Sequence, residues 1–309
     1  MFKIRTDLAV ELREEAAKRG DLGDGIIFSE EEDGGVRISV IDVTTPEGAR
    51  QTGREQGHYV TLEFGRLWLR GHDEFKHAVE VVSAQLSSLI GESHGGALVC
   101  GLGNDAITAD ALGPKVVSNL IVTRHLKYQA PAIYQSLGMA EVSAVTPGVL
   151  GRTGIESAAL IGAVAAEVKP AVVIAVDSLA SRRLSRLATT LQLSDTGICP
   201  GSGVGNHRSA IDRDLVGAKV IGIGVPMVVD AATLAYDVLG TVAEDGGFEP
   251  DERISHQTIT SLLDREGSNF FVTPKESDII VAEMARLVGY SINRAFYPDV
   301  GFDEMVRLI

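Results

Sequence analysis

Short apolar runs alternate along the chain with segments in which apolar residues recur every three or four positions. The spacing of Phe75, Val79, Val82 and Leu86 predicts a helix over His72–Ile90, whereas continuous apolar runs predict buried strands. Strands are predicted at Val36–Val43, within Tyr59–Leu69, and at Ala97–Leu102, Glu141–Val145, Ala171–Val176 and Lys219–Val225. Helices are predicted at Asp7–Arg19, His72–Ile90, Pro114 to about Leu126, Ile155–Val168, Arg182–Leu191, Val228–Leu239 and Glu276–Phe296. This alternation predicts an α/β fold with a mostly parallel sheet that is covered on both faces.

Two polar segments interrupt the alternation. Residues 1–35 are acidic and end in SEEEDGG, and residues 241–270 contain Gly246, Gly247 and Pro250 in place of an apolar pattern. We interpret the second segment as an insertion or loop. A chain of 309 residues has room for one large domain or two modest ones.

Composition and charge narrow the function classes. The 28 lysine and arginine residues against 42 aspartate and glutamate residues give a net charge of −14, which disfavours direct binding to nucleic acid or to an anionic membrane surface. No apolar run reaches the roughly 18 residues of a membrane span, and the N-terminus has no apolar core of a secretory signal. Cys100 and Cys199 lie far apart without a CxxC pattern, which indicates a reducing, intracellular setting.

The first stretch with chemical promise is GLGNDAITADALGP, from Gly101 to Pro114. It follows a predicted strand and opens a helix, and active sites of open α/β sheets gather at such strand ends. Asp105 and Asp110 both fall in this turn, and either could instead cap the helix. The stretch is neither a GxGxxG fingerprint nor a P-loop.

The second stretch is AVVIAVDSLASRR, from Ala171 to Arg183. Asp177 follows six apolar residues, so it is predicted at the end of a buried strand, where apolar walls and a second carboxylate would favour sharing of one proton. The ionised member of such a pair could activate water while the protonated member acts as an acid. Asp177 could also be a helix N-cap, and Arg182 and Arg183 could simply face solvent.

The third stretch is LSDTGICPGSGVGNHRSAI, from Leu193 to Ile211. Gly197, Gly201, Gly203 and Gly205 predict an irregular loop whose amides could cradle an oxyanion or a phosphate, or one that is only a flexible connector.

Other catalytic patterns are weaker. The seven histidines form no HExxH motif, although a metal site built from Asp110, Asp177 and one histidine stays open. Cys100 lies in an apolar strand and Cys199 has no His/Asn partner motif, so both are more typical of small buried side chains than of nucleophiles. Ser202 does not match the GxSxG elbow.

Seven motifs, in matching order over nearly the whole chain, resemble those of the germination protease family of spore-forming bacteria. They are RTDLAVE (Arg5–Glu11), GLGNDAITADALGP, VTPGVLGRTGIES (Val145–Ser157), VIAVDSLASR, DTGICPGSGVGN (Asp195–Asn206), IGVPMVVDAAT (Ile223–Thr233) and VTPKESD (Val272–Asp278). The resemblance implies a three-layer α/β sandwich of the phosphorylase/hydrolase-like kind, similar to the hydrogenase-maturation peptidases. It also implies an endopeptidase that degrades small acid-soluble spore proteins during germination.

The resemblance assigns roles to particular residues. Asp110 and Asp177 match the family's proposed catalytic aspartates, whereas Asp105 falls at a position where the family tolerates other residues. Asn104 and the four glycines at 197–205 become candidates for binding substrate or an oxyanion. The family implies a homotetramer in the cytoplasm of the forespore or spore core. No cofactor is expected, and a bound metal stays open.

The family is made as a self-processing zymogen. The run from Asp7 to Glu11 imitates the family's substrate context, an acidic residue followed by an Ile-Ala-Ser-Glu-like sequence. We therefore predict autoprocessing between Asp7 and Leu8, which divides the chain into a propeptide of residues 1–7 and a single α/β peptidase domain of residues 8–309.

Two alternatives to the aspartate-pair endopeptidase remain. A divalent metal ion could activate the water on the same fold, because related maturation peptidases use comparable carboxylates to grip a metal. A non-catalytic nucleotide- or phosphate-binding module would use the Gly-rich loop together with His207 and Arg208.

Overall fold

The computed structural model describes residues 6–18, 20, 23–91, 95–201, 209–246, 259, 261 and 270–309. These residues form an α/β structure around a nine-stranded sheet with the order β1-β2-β3-β7-β8-β6-β4-β5, in which β9 pairs with β8. The strands are β1 (Ile26–Asp33), β2 (Val36–Val43), β3 (Gly57–Glu63), β4 (Ala97–Gly101), β5 (Val142–Val145), β6 (Val172–Ser181), β7 (Thr190–Ser194), β8 (Lys219–Asp230) and β9 (Phe271–Val272).

Helices of very different length connect these strands. They are α1 (Ala9–Lys18), α2 (Pro46–Thr52), α3 (His72–Ile90), α4 (Leu112–Val117), α5 (Arg124–Gln129), α6 (Pro131–Leu137), α7 (Leu150–Thr153), α8 (Ser157–Val168), α9 (Arg213–Val216), α10 (Ala231–Gly246), α11 (Ser277–Phe296) and α12 (Phe302–Leu308). Single 3-10 turns lie at Leu67–Leu69, Thr108–Asp110 and Leu184–Arg186. Within the described ranges, no helix combines the length and the apolar character needed to cross a bilayer.

The sheet is mixed, so the prediction of a mostly parallel sheet is wrong. Strands β5, β4, β6 and β8 run parallel to one another, whereas β1, β2, β3 and β7 pair antiparallel and join the sheet through the antiparallel β7–β8 pair. The parallel strands are the continuous apolar runs of the sequence, as expected for strands buried on both faces. The antiparallel strands carry more polar residues, so β1 and β7 were not predicted from the apolar runs of the sequence.

The two faces of the sheet are covered differently. The first face, which carries Val172, Ile174 and Val176 of β6, packs against α3, α4, α11 and α12 in one continuous apolar cluster. The second face carries Val173, Ala175 and Leu179 of the same strand. It packs against α8 and α9 in one cluster, and against α1 and α2 in another. Helices therefore lie on both sides of the sheet, as in the expected three-layer arrangement.

Three predicted helices differ from the structure. The segment predicted as a helix over Arg182–Leu191 is a 3-10 turn followed by strand β7. The helix predicted from Val228 begins at Ala231, because β8 continues to Asp230 alongside β6. The helix predicted from Pro114 to about Leu126 is two short helices, α4 and α5.

The polar segments also differ from expectation. Residues 1–35 contain strand β1, whose mostly exposed edge position explains why its sequence shows no apolar alternation. Helix α10 extends into the segment 241–270 as far as Gly246. Most of the remainder of that segment lies outside the described residues, and the division into a propeptide and one peptidase domain stays a prediction.

Candidate active site

Asp177 lies on the second face of the sheet, within strand β6. Its side chain shares that face with Ala175 and Leu179, because side chains alternate along a strand. The residue is 5% exposed, and its Oδ1 atom accepts a 2.9 Å hydrogen bond from the Ser178 amide. The prediction that Asp177 directly follows its strand is wrong, because pairing with β8 continues to Ser181. A residue inside a strand is also not a helix N-cap.

Asp177 is nevertheless the first residue of β6 beyond the end of β4. Strand β4 ends at Gly101, opposite Val176, and the next amide, that of Leu102, donates to the Val176 carbonyl at 2.8 Å. The chain passes from β4 to β5 on one side and returns as β6 on the other side. Ligands of open α/β sheets bind in the crevice at such a change of direction, so Asp177 stands at the expected place for a site.

The loop after β4 folds back so that Asp110 lies at the same end of the sheet. The Asn104 amide donates to both the carbonyl and the Oδ2 atom of Asp110, each at 2.9 Å. Gly103 has a φ of +110°, and a Cβ atom there would stand 2.0 Å from the Asp110 carbonyl oxygen, so this turn requires glycine. The 3-10 turn that ends at Asp110 contacts both β6 and β8. The structure therefore brings Asp110 and Asp177 to one end of the sheet.

Asp105, the other aspartate of this loop, points to solvent. Its side chain is 64% exposed and forms an ion pair with Arg152 from the segment after β5. Arg152 also donates to Asn104 Oδ1 at 3.2 Å and so ties the loop in place. Helix α4 has Ala111 at its N-cap position without a side-chain cap. The exposure of Asp105 supports ranking it below Asp110 as a catalytic candidate.

A cavity of about 230 Å³ opens on the second face beside β6. Two glycines of β8, Gly222 and Gly224, lie in its wall, where the Leu179 side chain packs over Gly224 and the Gly197 backbone packs over Gly222. Gly224 pairs with Asp177 on one side and with Gln192 of β7 on the other, so the three residues form one row across the sheet. Asp7 and Cys199 also line the cavity.

The Gly-rich loop is described only in part. Gly197 and Gly201 lie in the described residues, whereas Gly203 and Gly205 lie outside them. Gly197 has a φ of +85°, and a Cβ atom there would stand 2.2 Å from the Ile211 carbonyl oxygen. Its glycine is thus needed for close backbone packing, and the oxyanion role of the four glycines stays a prediction.

The predicted autoprocessing bond between Asp7 and Leu8 lies at this cavity. Leu8 is fully buried and Asp7 is 7% exposed. The Asp7 amide donates to the Ala180 carbonyl at 2.8 Å, and the Ala180 amide donates to Asp7 Oδ2 at 2.9 Å. The carboxamide of Gln192 holds the same segment from the other side, a contact that the sequence analysis missed.

Helix α1, which follows that bond, is anchored by the segment after β6. The Glu11 carboxylate is 1% exposed and accepts hydrogen bonds from the amides of Arg182 at 2.7 Å and Arg183 at 3.0 Å. The Arg182 side chain is mostly buried and pairs with Glu15 of α1 and Asp237 of α10. The interpretation of Arg182 as part of a solvated face is therefore wrong.

Arg186 completes this anchor from a buried position. Its guanidinium donates to Glu14 at 2.7 and 3.1 Å and to Glu63 of β3 at 2.7 Å. Burial alone would raise the pKa of Glu14, but the hydrogen bonds and the positive charge of Arg186 outweigh burial and lower it. Helix α1 is thus fixed to the sheet by buried charge pairs.

The cysteine thiols are poor nucleophiles in these surroundings. Burial, followed by the negative charge of Asp7, raises the pKa of Cys199, and the charge of Asp177 raises it further. Burial raises the pKa of Cys100 to about 12. Neutral thiols argue against a cysteine protease. Asp7 and Cys199 line the cavity, and Asp177 lies at the strand position that pairs with the lining residue Gly224.

No group of three or more His, Cys, Asp or Glu side chains in the described part of the chain is arranged to hold a metal ion. His94, His207 and His256 lie outside that part, so this statement does not extend to them.

Comparison with known proteins identifies the class. A family model described as "Germination protease" matches residues 5–256. A germination protease of Caldanaerobacter subterraneus subsp. tengcongensis is 41% identical over 99% of this chain and 98% of its own length. Those of Clostridium perfringens and Bacillus velezensis are 39% and 38% identical, over 100% and 98% of this chain and 100% and 96% of their own lengths.

Among solved structures, a [NiFe] hydrogenase maturation protease, HycI, from Thermococcus kodakarensis KOD1 is similar with a TM-score of 0.37 and 18% identity. The match covers 69% of this chain and 98% of that one.

The sequence comparisons identify the chain as an endopeptidase. It belongs to the germination protease family, as its seven motifs indicated. Membership of a peptidase family excludes the interpretation of the chain as a non-catalytic phosphate-binding module.

Proposed function

We propose that this germination protease hydrolyses small acid-soluble spore proteins, removes its own residues 1–7, and activates water with Asp110 and Asp177. The observation that carries the proposal is the position of Asp177. It is a buried carboxylate on the second face of the sheet, paired with Gly224 of the cavity wall, at the crevice where the strand order changes direction. The loop that holds Asp110 folds against the same strand.

In this mechanism the two carboxyl groups share one proton. The ionised aspartate takes a proton from water as the water oxygen attacks the scissile carbonyl carbon. The protonated aspartate then supplies a proton to the leaving nitrogen, as expected where two carboxyl groups have different tasks. Each group is needed for one proton transfer, so loss of either should stop turnover.

The chain's own N-terminus supports the proposed substrate class. Asp7 and the four residues that follow imitate an acidic residue before an Ile-Ala-Ser-Glu-like run, and Asp7 lines the cavity. A peptide segment of this kind therefore fits the space beside β6. We propose that substrate proteins present the same sequence context as an extended segment.

We further propose that the enzyme is a homotetramer that works in the cytoplasm of the forespore or spore core. The family and the relatives from Clostridium and Bacillus support this setting. Light scattering on the purified chain should give four times the 32.8 kDa of one chain, and a monomeric mass would contradict the tetramer.

A cleavage assay on a peptide that spans a Glu-Ile-Ala-Ser-Glu sequence tests the mechanism. We expect Asp110→Asn and Asp177→Asn each to lower the rate at least about 100-fold while the thermal midpoint stays near that of the wild type. Asp105→Asn is the matched control, because Asp105 belongs to the same loop but faces solvent, and it should retain near-normal activity. Near-full activity of either Asp110→Asn or Asp177→Asn would overturn the aspartate pair.

The same assay with EDTA separates the metal-dependent alternative. Unchanged cleavage after chelation supports the aspartate pair acting alone. Activity that is lost with EDTA and restored by a divalent ion would assign water activation to a metal on the same fold.

A further inference from the structure

Gln192 makes two hydrogen bonds to the N-terminal segment with the two ends of its carboxamide. Its Nε2 atom donates to the Asp7 carbonyl oxygen at 3.0 Å, and its Oε1 atom accepts from the Ala9 amide at 2.6 Å. The side chain is 8% exposed. The Ala9 backbone N–H can only donate and the Asp7 carbonyl oxygen can only accept, so just one orientation of the Gln192 carboxamide satisfies both contacts.

These contacts bracket the bond that we propose is cleaved. The carbonyl of the Asp7–Leu8 peptide faces Gln192, and the Leu8 amide donates to Thr6 Oγ1 at 3.1 Å. On the other side, Asp7 exchanges hydrogen bonds with Ala180 of β6. The scissile peptide is therefore held between a backbone segment of β6 and one side chain of β7.

The row across the sheet sets this side chain opposite the proposed catalytic group. Gln192 and Asp177 both pair with Gly224, from the two sides of β8. Two strand spacings separate their backbones by roughly 10 Å, and the Leu179 side chain packs over the glycine between them. A peptide carbonyl bound to Gln192 thus lies at one end of the row whose other end is Asp177.

We propose that Gln192 is the oxyanion donor for hydrolysis of the Asp7–Leu8 bond, an inference that rests on the proposed self-cleavage. The water oxygen bonds to the Asp7 carbonyl carbon, one water proton passes to the ionised aspartate, and the carbonyl electron pair moves to oxygen. The Nε2–H group stabilises that negative oxygen. The C–N bond then breaks, and the Leu8 nitrogen takes a proton from the protonated aspartate. The main-chain carbonyl of Asp7 becomes a new C-terminal carboxyl group.

In this assignment the oxyanion donor is Gln192, and not the Gly-rich loop at 197–205. The Ala9 amide fixes Oε1, so Nε2 points at the carbonyl before the reaction begins. A donor that is oriented in advance needs no rearrangement when charge develops, which is the condition for a large contribution to rate.

The test follows self-cleavage of the full chain by intact-mass spectrometry. Gln192→Glu keeps an acceptor for the Ala9 amide but loses the donor, and Gln192→Met has similar length but loses both. We expect both variants to release the Leu8 N-terminus about 100-fold more slowly than the wild type, because removal of one oxyanion donor costs about 10²–10³ in rate.

Thr190→Val is the matched control. Thr190 is buried on the same strand and face as Gln192, and its hydroxyl has no hydrogen-bond partner in the described part of the chain. This variant should process at the wild-type rate. Thermal midpoints of all variants within a few degrees of the wild type would exclude unfolding as the cause of slow processing.

The outcomes separate the two proposals. If Gln192→Glu processes normally while Gln192→Met does not, Gln192 only seats the segment through Ala9, and the donor assignment is wrong. If both variants process normally, Gln192 has no part in the reaction. A wild-type chain that never yields a Leu8 N-terminus would instead overturn the self-cleavage itself, and this inference with it.

Discussion

The two faces of the central sheet are built by different means. The first face is one apolar cluster under four helices, and strand β8 contributes Ile221 and Ile223 to it. On the second face the same strand contributes Gly222 and Gly224, which line the cavity. One alternating stretch of sequence therefore supplies both a packed core and a cavity wall whose glycines let the Leu179 side chain and the Gly197 backbone approach closely.

Strand β7 shows the same division. Leu191 and Leu193 belong to the apolar cluster of the first face, whereas Gln192 and Ser194 line the cavity of the second. The second face breaks into two small apolar clusters at this cavity, and buried charge pairs of α1 take over part of the anchoring. The site therefore lies where the apolar core is interrupted, and charge pairs hold that interrupted region together.

The largest expected effect concerns that charge-based anchor. Arg186→Ala removes the guanidinium that pairs with Glu14 and with the 1%-exposed Glu11. Glu14 keeps its pair with Arg183, but removal of one partner from a buried ion pair costs about 3–5 kcal/mol. Urea unfolding at pH 7 measures this loss. Arg50→Ala is the control, because its pair with Glu47 is exposed and should contribute less than about 1 kcal/mol.

The effect should also depend on pH. The lowered pKa of Glu14 means that its contribution is fully present above its ordinary value of 4.5 and is lost as the pH falls through the folded-state pKa. The difference between Arg186→Ala and wild type should therefore shrink in acid. Equal losses for Arg186→Ala and Arg50→Ala would show that charge does not anchor the second face.

The next effect concerns the turn that carries Asp110. Gly103→Ala places a Cβ atom 2.0 Å from the Asp110 carbonyl oxygen at a positive φ, so the turn must shift. Because a displacement of about 1 Å in a catalytic group can cost about 100-fold in rate, we expect a loss of that size in the peptide assay.

Gly138→Ala controls for backbone strain in that comparison. Gly138 also has a positive φ, of 58°, but a Cβ atom there would meet nothing within 4 Å. Both variants should lose about 1–3 kcal/mol of stability, and only Gly103→Ala should lose activity. Normal cleavage by Gly103→Ala would mean that the position of Asp110 does not limit the reaction.

Parts of the fold that depend on local pattern were predictable. Strand β2 and helix α3 have the predicted bounds, because their apolar spacing reflects burial on one face. Strand β7 was not predicted, and the helix predicted over Arg182–Leu191 overlaps its first two residues, since Leu184, Leu187 and Leu191 recur at helical spacing through a 3-10 turn into the strand. The five residues of β7, with polar side chains at alternate positions, give a strand signal that is too weak to outweigh the helical spacing.

The candidate site also has parts that the sequence could predict and parts that it could not. The position of Asp177 after an apolar run marked it as a candidate, and the glycines around Asp110 marked its turn. The contacts of Gln192 with Asp7 and of Arg186 with Glu14 join residues that are 185 and 172 positions apart. Sequence spacing carries no information about such contacts, because only the order of strands in the sheet brings these segments together.

The smallest expected effect compares buried titratable groups on the two faces at alkaline pH. Burial raises the pKa of Cys100 on the second face from 9.0 to about 12, and that of Tyr297 on the first face from 10.0 to about 12. Below pH 9 both folded and unfolded chains keep the thiol proton. As the pH rises through the window from 9 to 12, only the unfolded chain loses it, so the free energy of unfolding falls.

Between pH 9 and 10 the thiol accounts for a fall of about 1 kcal/mol, and Tyr297 for roughly a third of that. Cys100→Ala should therefore flatten the dependence of unfolding free energy on pH in this interval, as measured by urea titrations at pH 8, 9 and 10. Tyr297→Phe should leave most of the fall in place, because its phenol ionises later in the unfolded chain. If Cys100→Ala and wild type lose stability in parallel from pH 9 to 10, the thiol does not stay protonated in the folded protein, and the apolar cluster around it on the second face is more open to water than that of the first.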